Sequence, residues 1–273
     1  MLEVWGDPIA HSLSPRIHAA AYALLGWDWT YGRRRVGAAD FRRELESLDG
    51  SFRGLSLTFP LKTAAFAAAT RCDRPAELTG AVNTLVLRRG ERLGFNTDVG
   101  GIVADVRAHG LGAVETARIV GAGATATSAL VALAQLGARA VEVVARNPDA
   151  ARGLVELGER LSLAVSVTPP ATLAPASVPL TVSTLPGGAA LADDAARRVA
   201  SGGGLLYDVV YGHWPTPLAR EWAAAGAPAV NGLGMLVRQA VLQIRAFRTG
   251  DVEEPLPDED AVVDVMARAL VGD

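Results

Sequence analysis

Several things are scarce in this sequence, and each scarcity excludes something. Cysteine occurs once, as Cys72, so no disulfide can close within the chain and no thiolate cluster can hold a metal. His11, His18, His109 and His213 have no metal-like grouping, and no metal is expected. Aromatic residues make up 5%, too few and too scattered for base stacking. The net charge of −3 gives no reason to expect nucleic acid or an anionic membrane as partner. The most apolar stretch, Ala129 to Ala145, is interrupted by Gln135, Arg139 and Glu142, too often to span a bilayer. The opening MLEVWGDPIAHS lacks the basic region and apolar run of a signal peptide. The expected location is the cytoplasm.

Half of the 273 residues are apolar and a fifth are charged, a composition that suits one large or two small packed domains. Short apolar runs alternate with helical patterns, which predicts an α/β fold with mostly parallel strands. Leu2 to Trp5 reads as a strand. Ser14-Pro15 opens a helix, with Ser14 as N-cap, and Gly26 sits just past its end. A strand near Trp29 to Val36 and a helix to about Leu48 follow. Ala81 to Leu87 and Leu93 to Asn96 read as strands around an Arg-Gly-Glu turn, and a helix runs from Asp98 to His109.

A second block starts near Gly112. Its candidate strands are Ala117 to Val120, Ala140 to Ala145, Ala164 to Thr168, Leu180 to Ser183, Leu205 to Val210 and Ala229 to Asn231. That series suits a dinucleotide-binding sheet. A long helix to Arg248 and a last helix over about Asp258 to Leu270 close the chain. The expectation is two domains with a ligand cleft between them.

The clearest motif is RIVGAGATATSAL, Arg118 to Leu130. It is a strand, then Gly121-Ala122-Gly123-Ala124-Thr125-Ala126, then a helix. The glycines allow a tight turn, and the helix N-terminus offers free N–H groups to a pyrophosphate. The next strand ends in EVVARN, with Arg146 where an NAD site would carry an acidic residue. A guanidinium there suits a 2′-phosphate, so NADP is the expected cofactor.

In the first block, polar groups collect at strand ends. GLSLTFPLK alternates like a strand, closes at Pro60 and presents Lys62. GDPIAHSLSP carries Ser12 and Ser14, AVNTL puts Asn83 in an apolar strand, and GFNTDVGG sets Asp98 at a strand-to-helix junction. Each has an ordinary structural reading, as a surface lysine, a cap or a buried amide. Together they mark the end of an open α/β sheet where ligands bind.

GDPIAHSLSPRIH, LTFPLK, GAVNTL, GFNTDVGG, GAGATA, ARN, DVVYGHWPTPL and NGLGMLVRQA cover nearly the whole chain in order. On these pieces the sequence resembles the shikimate dehydrogenase family. The resemblance implies an N-terminal α/β substrate domain, residues 1–100, rejoined by C-terminal helices 236–273. It implies a Rossmann NADP-binding domain over 101–235. The activity implied is reduction of 3-dehydroshikimate to shikimate and the reverse, with hydride from NADPH and a proton from Lys62, within aromatic amino-acid biosynthesis. Lys62 matches the catalytic acid/base and Asp98 its partner. Ser12 and Ser14 match the hydroxyls that hold the ring carboxylate. Ser56, Thr58, Asn83, Asp98, Tyr211 and Gln239 match other substrate contacts. Gly121, Ala122, Gly123, Ala124 and Thr125 match the phosphate loop. Arg146 and Asn147 match the adenosine-phosphate contact. Thr184, Val209, Gly232 and Met235 match positions along the rest of the cofactor.

The chain departs from the family pattern in places. Ser56 stands where Asn is commonest, Ala124 where Gly is frequent, Ala145 and Asn147 where Asn and Thr often flank the arginine, and Asn231 where Asp is common. None of these alters the Lys62–Asp98 pair. The rival readings are a quinate/shikimate dehydrogenase with broader substrate or NAD use, a folate-type dehydrogenase, and a non-catalytic NADP-binding regulator. The regulator should have lost the amine or its carboxylate, and both are present. Arg33-Arg34-Arg35 reads as a solvated edge. The expected partner is a small molecule, and a homodimer is an assembly the sequence leaves open.

Overall fold

A computed structural model describes residues 1–88, 90–174 and 176–271. Arg89, of the predicted Arg-Gly-Glu turn, lies outside the described residues. The chain divides into two units, Met1–Gly101 with Leu236–Asp273, and Ile102–Met235.

The first unit carries strands β1 (Leu2–Gly6), β2 (Tyr31–Arg35), β3 (Gly54–Leu57), β4 (Arg71–Cys72), β5 (Thr84–Arg88) and β6 (Glu91–Phe95). Its helices are α1 (Ser14–Leu25), α2 (Phe41–Glu46), α3 (Lys62–Ala68), α4 (Arg74–Thr79) and the start of α5 (Thr97–Ala108). The strands form one sheet in the order β2-β1-β3-β5-β6-β4. Three pairings are parallel and two, β3 with β5 and β5 with β6, are antiparallel. β3 lies between two neighbours and every residue of it is buried, which is why its LSL core tolerates no exposed face. One face packs Leu2, Ile17, Tyr22, Val241, Ile244, Phe247 and Met266 together. The other packs Trp5, Phe41, Leu55, Leu61 and Val82. β2 is an edge strand, and its arginines are engaged: Arg34 with Glu3 and Glu44, Arg35 with Asp7. Charge on an edge discourages pairing with other chains.

The second unit carries β7 (Thr116–Val120), α6 (Ala124–Gln135), β8 (Ala140–Val144), α7 (Arg152–Arg160), β9 (Ala164–Thr168), β10 (Leu180–Ser183), α8 (Asp193–Ala200), β11 (Leu205–Asp208), α9 (Pro217–Ala224) and β12 (Ala229–Val230). All pairings are parallel, in the order β12-β11-β10-β7-β8-β9. This is the doubly wound dinucleotide-binding order, with its reversal between β7 and β10. Two long helices complete the chain, α10 (Leu233–Thr249), which begins in the second unit and continues in the first, and α11 (Glu259–Val271). Among the described residues, no helix is long and apolar enough to cross a membrane.

Three local expectations need correction. Ser14 is not an N-cap: Leu13 holds that position, without a side-chain bond, and Ser14 is the first residue of α1. Pro15 fixes the backbone of the first turn, so no cap hydroxyl is required there. Asn83 precedes β5 instead of lying inside it. Its backbone still pairs with both neighbours, N–H to the Phe95 carbonyl at 3.0 Å and carbonyl to Leu57 N–H at 2.7 Å, while its side chain bonds across to the start of α5. Asp98 lies inside the first turn of α5, whose first residue is Thr97.

Candidate active site

Lys62 is placed by the chain turn after β3. Leu61 N–H bonds to the Thr58 carbonyl, and α3 begins at the next residue. The Lys62 carbonyl accepts from Val82 N–H at 3.0 Å, so the lysine backbone is tied to the segment leading into Asn83. Its Nζ donates to Asp98 Oδ2 at 2.5 Å. The two side chains are 19% and 8% exposed, so the pair is largely withdrawn from water. Pairing offsets the cost of burying each charge.

Asn83 stands behind that pair. Its Nδ2 donates to Asp98 Oδ1 at 2.8 Å, while its Oδ1 accepts from Thr97 N–H at 2.9 Å. A backbone N–H can only donate, so the Thr97 amide fixes which end of the Asn83 side chain is oxygen. Asp98 therefore has one oxygen on an amide and the other on the amine. Gln239, on α10, sets its Oε1 3.4 Å from both Asn83 Nδ2 and Thr97 Oγ1. Gly101 makes this approach feasible: a Cβ there would stand 3.0 Å from the Gln239 backbone nitrogen.

The remaining predicted substrate residues of this unit are hydroxyls. Ser12 Oγ accepts from Ser14 N–H at 3.3 Å, which folds the loop before α1. Ser14 is 7% exposed. Ser56, 3% exposed, donates to Gln243 Oε1 at 2.8 Å. Thr58 is half-buried and anchors the end of β3 through its N–H to the Trp5 carbonyl. Tyr211 belongs to the second unit, three residues beyond β11. Burial pushes its phenol up from the ordinary value.

In the second unit the glycine-rich loop follows β7. Gly121 has φ of 112°, a backbone state that side chains disfavour, and a Cβ there would stand 2.5 Å from Thr184 Oγ1. Thr184 in turn donates its hydroxyl to the Val120 carbonyl at 3.1 Å. Gly123 is the N-cap of α6 and offers no side-chain acceptor to the helix amides. Among the described residues, nothing beyond its own chain neighbours lies within 4 Å of where its Cβ would be. Ala122, Ala124 and Thr125 complete this loop. Free N–H groups, bare backbone and a positive helix end fit a pyrophosphate. Arg146, two residues past β8, is exposed. Asn147 beside it accepts from Asp149 N–H at 3.0 Å and so shapes the next turn. Gly232 lies against the Val209 carbonyl, which a Cβ would overlap, and its N–H bonds to the Val210 carbonyl at 3.2 Å. Met235 is buried on α10.

With this geometry in hand, comparison with known proteins decides the family. A NADP(+)-dependent shikimate dehydrogenase of Geobacter sp. strain M21 is 36% identical over 281 aligned residues, spanning 97% of this chain and 93% of that one. The chain belongs to the shikimate dehydrogenase family. Residues 4–85 match the model of the shikimate dehydrogenase substrate binding domain. The shikimate dehydrogenase of Mycobacterium tuberculosis superposes with a TM-score of 0.83 at 36% identity, covering 99% of this chain and 98% of that one. A shikimate 5-dehydrogenase from Thermus thermophilus, crystallised with NADP(H) and shikimate, gives 0.81 at 31%, with 98% of both chains covered.

This member of the shikimate dehydrogenase family has site neighbours that the sequence did not reveal. His18, fully buried, stacks on Tyr31 with ring centroids 3.8 Å apart and contacts Tyr22 and Gln243. Burial lowers its pKa to about 3, so the ring is neutral. Tyr31 Oη is buried near Ser14 and Ser56 without a hydrogen bond of normal geometry. Asp208, at the end of β11, accepts from Thr216 Oγ1 at 2.8 Å and Val210 N–H at 3.2 Å, which pins the loop carrying Val209 and Tyr211. The one available signal was spacing: Gln243 lies one helical turn beyond Gln239, on the same face of α10.

Proposed function

We propose that this chain interconverts 3-dehydroshikimate and shikimate using NADP, with Lys62 moving the proton. The carrying observation is the buried contact between Lys62 and Asp98, with Asn83 holding the second carboxylate oxygen. NADPH, when bound, supplies the hydride to the carbonyl carbon. Negative charge then grows on the carbonyl oxygen, and the Lys62 ammonium stabilises it and gives up a proton from Nζ. In the oxidation direction the neutral amine takes the hydroxyl proton. Asp98 aims the amine through its Oδ2.

Substrate recognition follows from the same chemistry. Ser12 and Ser14 offer hydroxyl donors to the ring carboxylate. Asn83, Asp98 and Gln239 bind ring hydroxyls, and Ser56, Thr58 and Tyr211 supply further contacts. On the cofactor side, Gly121 to Thr125 cradle the pyrophosphate, and Arg146 with Asn147 takes the adenosine phosphate. Thr184, Val209, Gly232 and Met235 line the remainder. In this reading residues 1–100 and 236–273 are the substrate domain and 101–235 the NADP domain. A biosynthetic role carries a cytoplasmic location with it, and a homodimer is compatible with it.

An assay of shikimate and quinate, each with NADP and with NAD, tests the proposal. The expected result is turnover dominated by shikimate with NADP. Turnover confined to quinate with NAD would overturn both the substrate and the cofactor assignment.

A further inference from the structure

Gln243 lies on α10, 3% exposed, behind Ser56, and it determines which way several hydrogen bonds run. Its Nε2 donates to the Asn83 carbonyl at 3.4 Å. A carbonyl can only accept, so the amide cannot be reversed without setting oxygen against oxygen. Oε1 therefore faces the other way, toward Ser56 Oγ at 2.8 Å and His18 Nε2 at 3.3 Å. An amide oxygen has no hydrogen, so both of those groups must donate to it. His18 is then the Nε2–H tautomer, and its Nδ1 accepts from Tyr22 Oη at 2.9 Å. Every direction in this chain of bonds is set by one backbone carbonyl, that of Asn83.

The consequence falls on Ser56. Its only hydrogen is committed to Gln243, so toward any ligand it presents lone pairs alone. Ser12 and Ser14 differ: Ser12 Oγ accepts from Ser14 N–H, and the Ser14 hydroxyl lies beside Tyr31 Oη, an O–H that can donate to it and leave its own hydrogen for a ligand. Hydroxyls that are free to donate suit a carboxylate, whereas an acceptor-only hydroxyl repels one and suits a ligand O–H.

We propose that Gln243 is a specificity-determining positioning residue. It takes the hydrogen of Ser56, so that Ser56 reads a hydroxyl of the substrate and leaves the carboxylate to Ser12 and Ser14. This rests on the reading above that Ser56 touches the substrate. It gives a use to the departure at that position: an asparagine amide carries two hydrogens and can bond a helix residue while still donating to a ligand, whereas a serine carries one, and Gln243 takes it.

Two measurements test it. The first is the ¹⁵N NMR signature of His18 in the full-length protein at neutral pH. A protonated Nε2 with a bare Nδ1 is expected, and a protonated Nδ1 would reverse the amide and overturn the inference. The second is a double-mutant cycle with shikimate. Gln243→Met should raise KM about 3–10-fold, the worth of one oriented hydrogen bond, and change kcat less than about twofold. In a Ser56→Ala background the same substitution should change KM by less than about twofold. Equal penalties in both backgrounds, or a loss confined to kcat, would contradict the proposal. If Gln243→Met does not fold, the tautomer of the unsubstituted protein still decides the direction of the bonds. Failure of the unsubstituted protein to turn over shikimate would remove the functional reading and the inference together, an outcome distinct from a reversed tautomer.

Discussion

Lys62 Nζ and Asp98 Oδ2 stand 2.5 Å apart although 36 residues separate them in the chain. The contact joins the first residue of α3 to the first turn of α5, and it aims the Lys62 amine. Asp98→Asn replaces a charged acceptor with a neutral amide of the same shape. The amine loses its anchor, and kcat for shikimate oxidation should fall about 10²-fold. Steady-state kinetics alongside a thermal melt separates this loss from unfolding. A variant with parental kcat would show that the carboxylate has no part in the proton transfer.

Arg146 is exposed at the end of β8, where its charge can meet a 2′-phosphate. Charge-assisted hydrogen bonds of this type are worth about 1.5–3 kcal/mol. Arg146→Ala should therefore raise KM for NADP about 10–100-fold and leave KM for NAD nearly unchanged. Equal losses with both cofactors would assign the arginine to some other part of the nucleotide.

Gly101 lets α5 and α10 approach closely. An added methyl would stand 2.8 Å from Gln239 Cβ and 3.0 Å from its backbone nitrogen, and neither is a flexible side-chain end. Gly101→Ala should cost about 1–3 kcal/mol in urea unfolding. Because Asp98 and Gln239 sit on the two helices being wedged, both kcat and KM should worsen. Parental stability would mean that the helices separate without strain.

The sequence was most informative where function and local geometry coincide. Ala164–Thr168 has the boundaries read, although it is an edge strand with no buried residue. Leu180–Ser183 also appears as a strand with the boundaries read from its apolar run, because a strand buried in a parallel sheet is apolar and sharply bounded. The strand, glycine loop and helix around Gly121 were legible for the same reason. Short elements were not: β4 and α4 are too brief to show a period. Ser14 looked like a cap because proline follows it, yet the capping residue is Leu13. The bonds joining His18, Ser56 and Gln243 were invisible, since His18 and Gln243 lie 225 residues apart. Only tertiary folding gives a buried polar residue its partner.

Asp73 links stability to pH. It caps α4 through Ala76 N–H at 2.8 Å and also holds Asn96 N–H at 3.2 Å. Burial is the largest influence and raises its pKa from 3.8 to about 6, with Glu77 adding to the rise and the two amides opposing it. The native carboxyl thus binds its proton more tightly than the unfolded one. The stabilisation is fully present below 3.8 and is lost as pH rises through about 6, amounting to at most about 3 kcal/mol. The unfolding free energy of the parent relative to Asp73→Asn should therefore increase as pH is lowered from about 7 to 4.5. A difference that stays flat across that window would place the native pKa near its ordinary value.

The most direct test of the account is the turnover of Lys62→Ala with shikimate and NADP. The expected result is a kcat lower by about 10²–10⁴-fold, with a smaller change in KM and an unchanged fold by circular dichroism. A folded Lys62→Ala protein that oxidises shikimate at close to the parental rate would contradict the central claim.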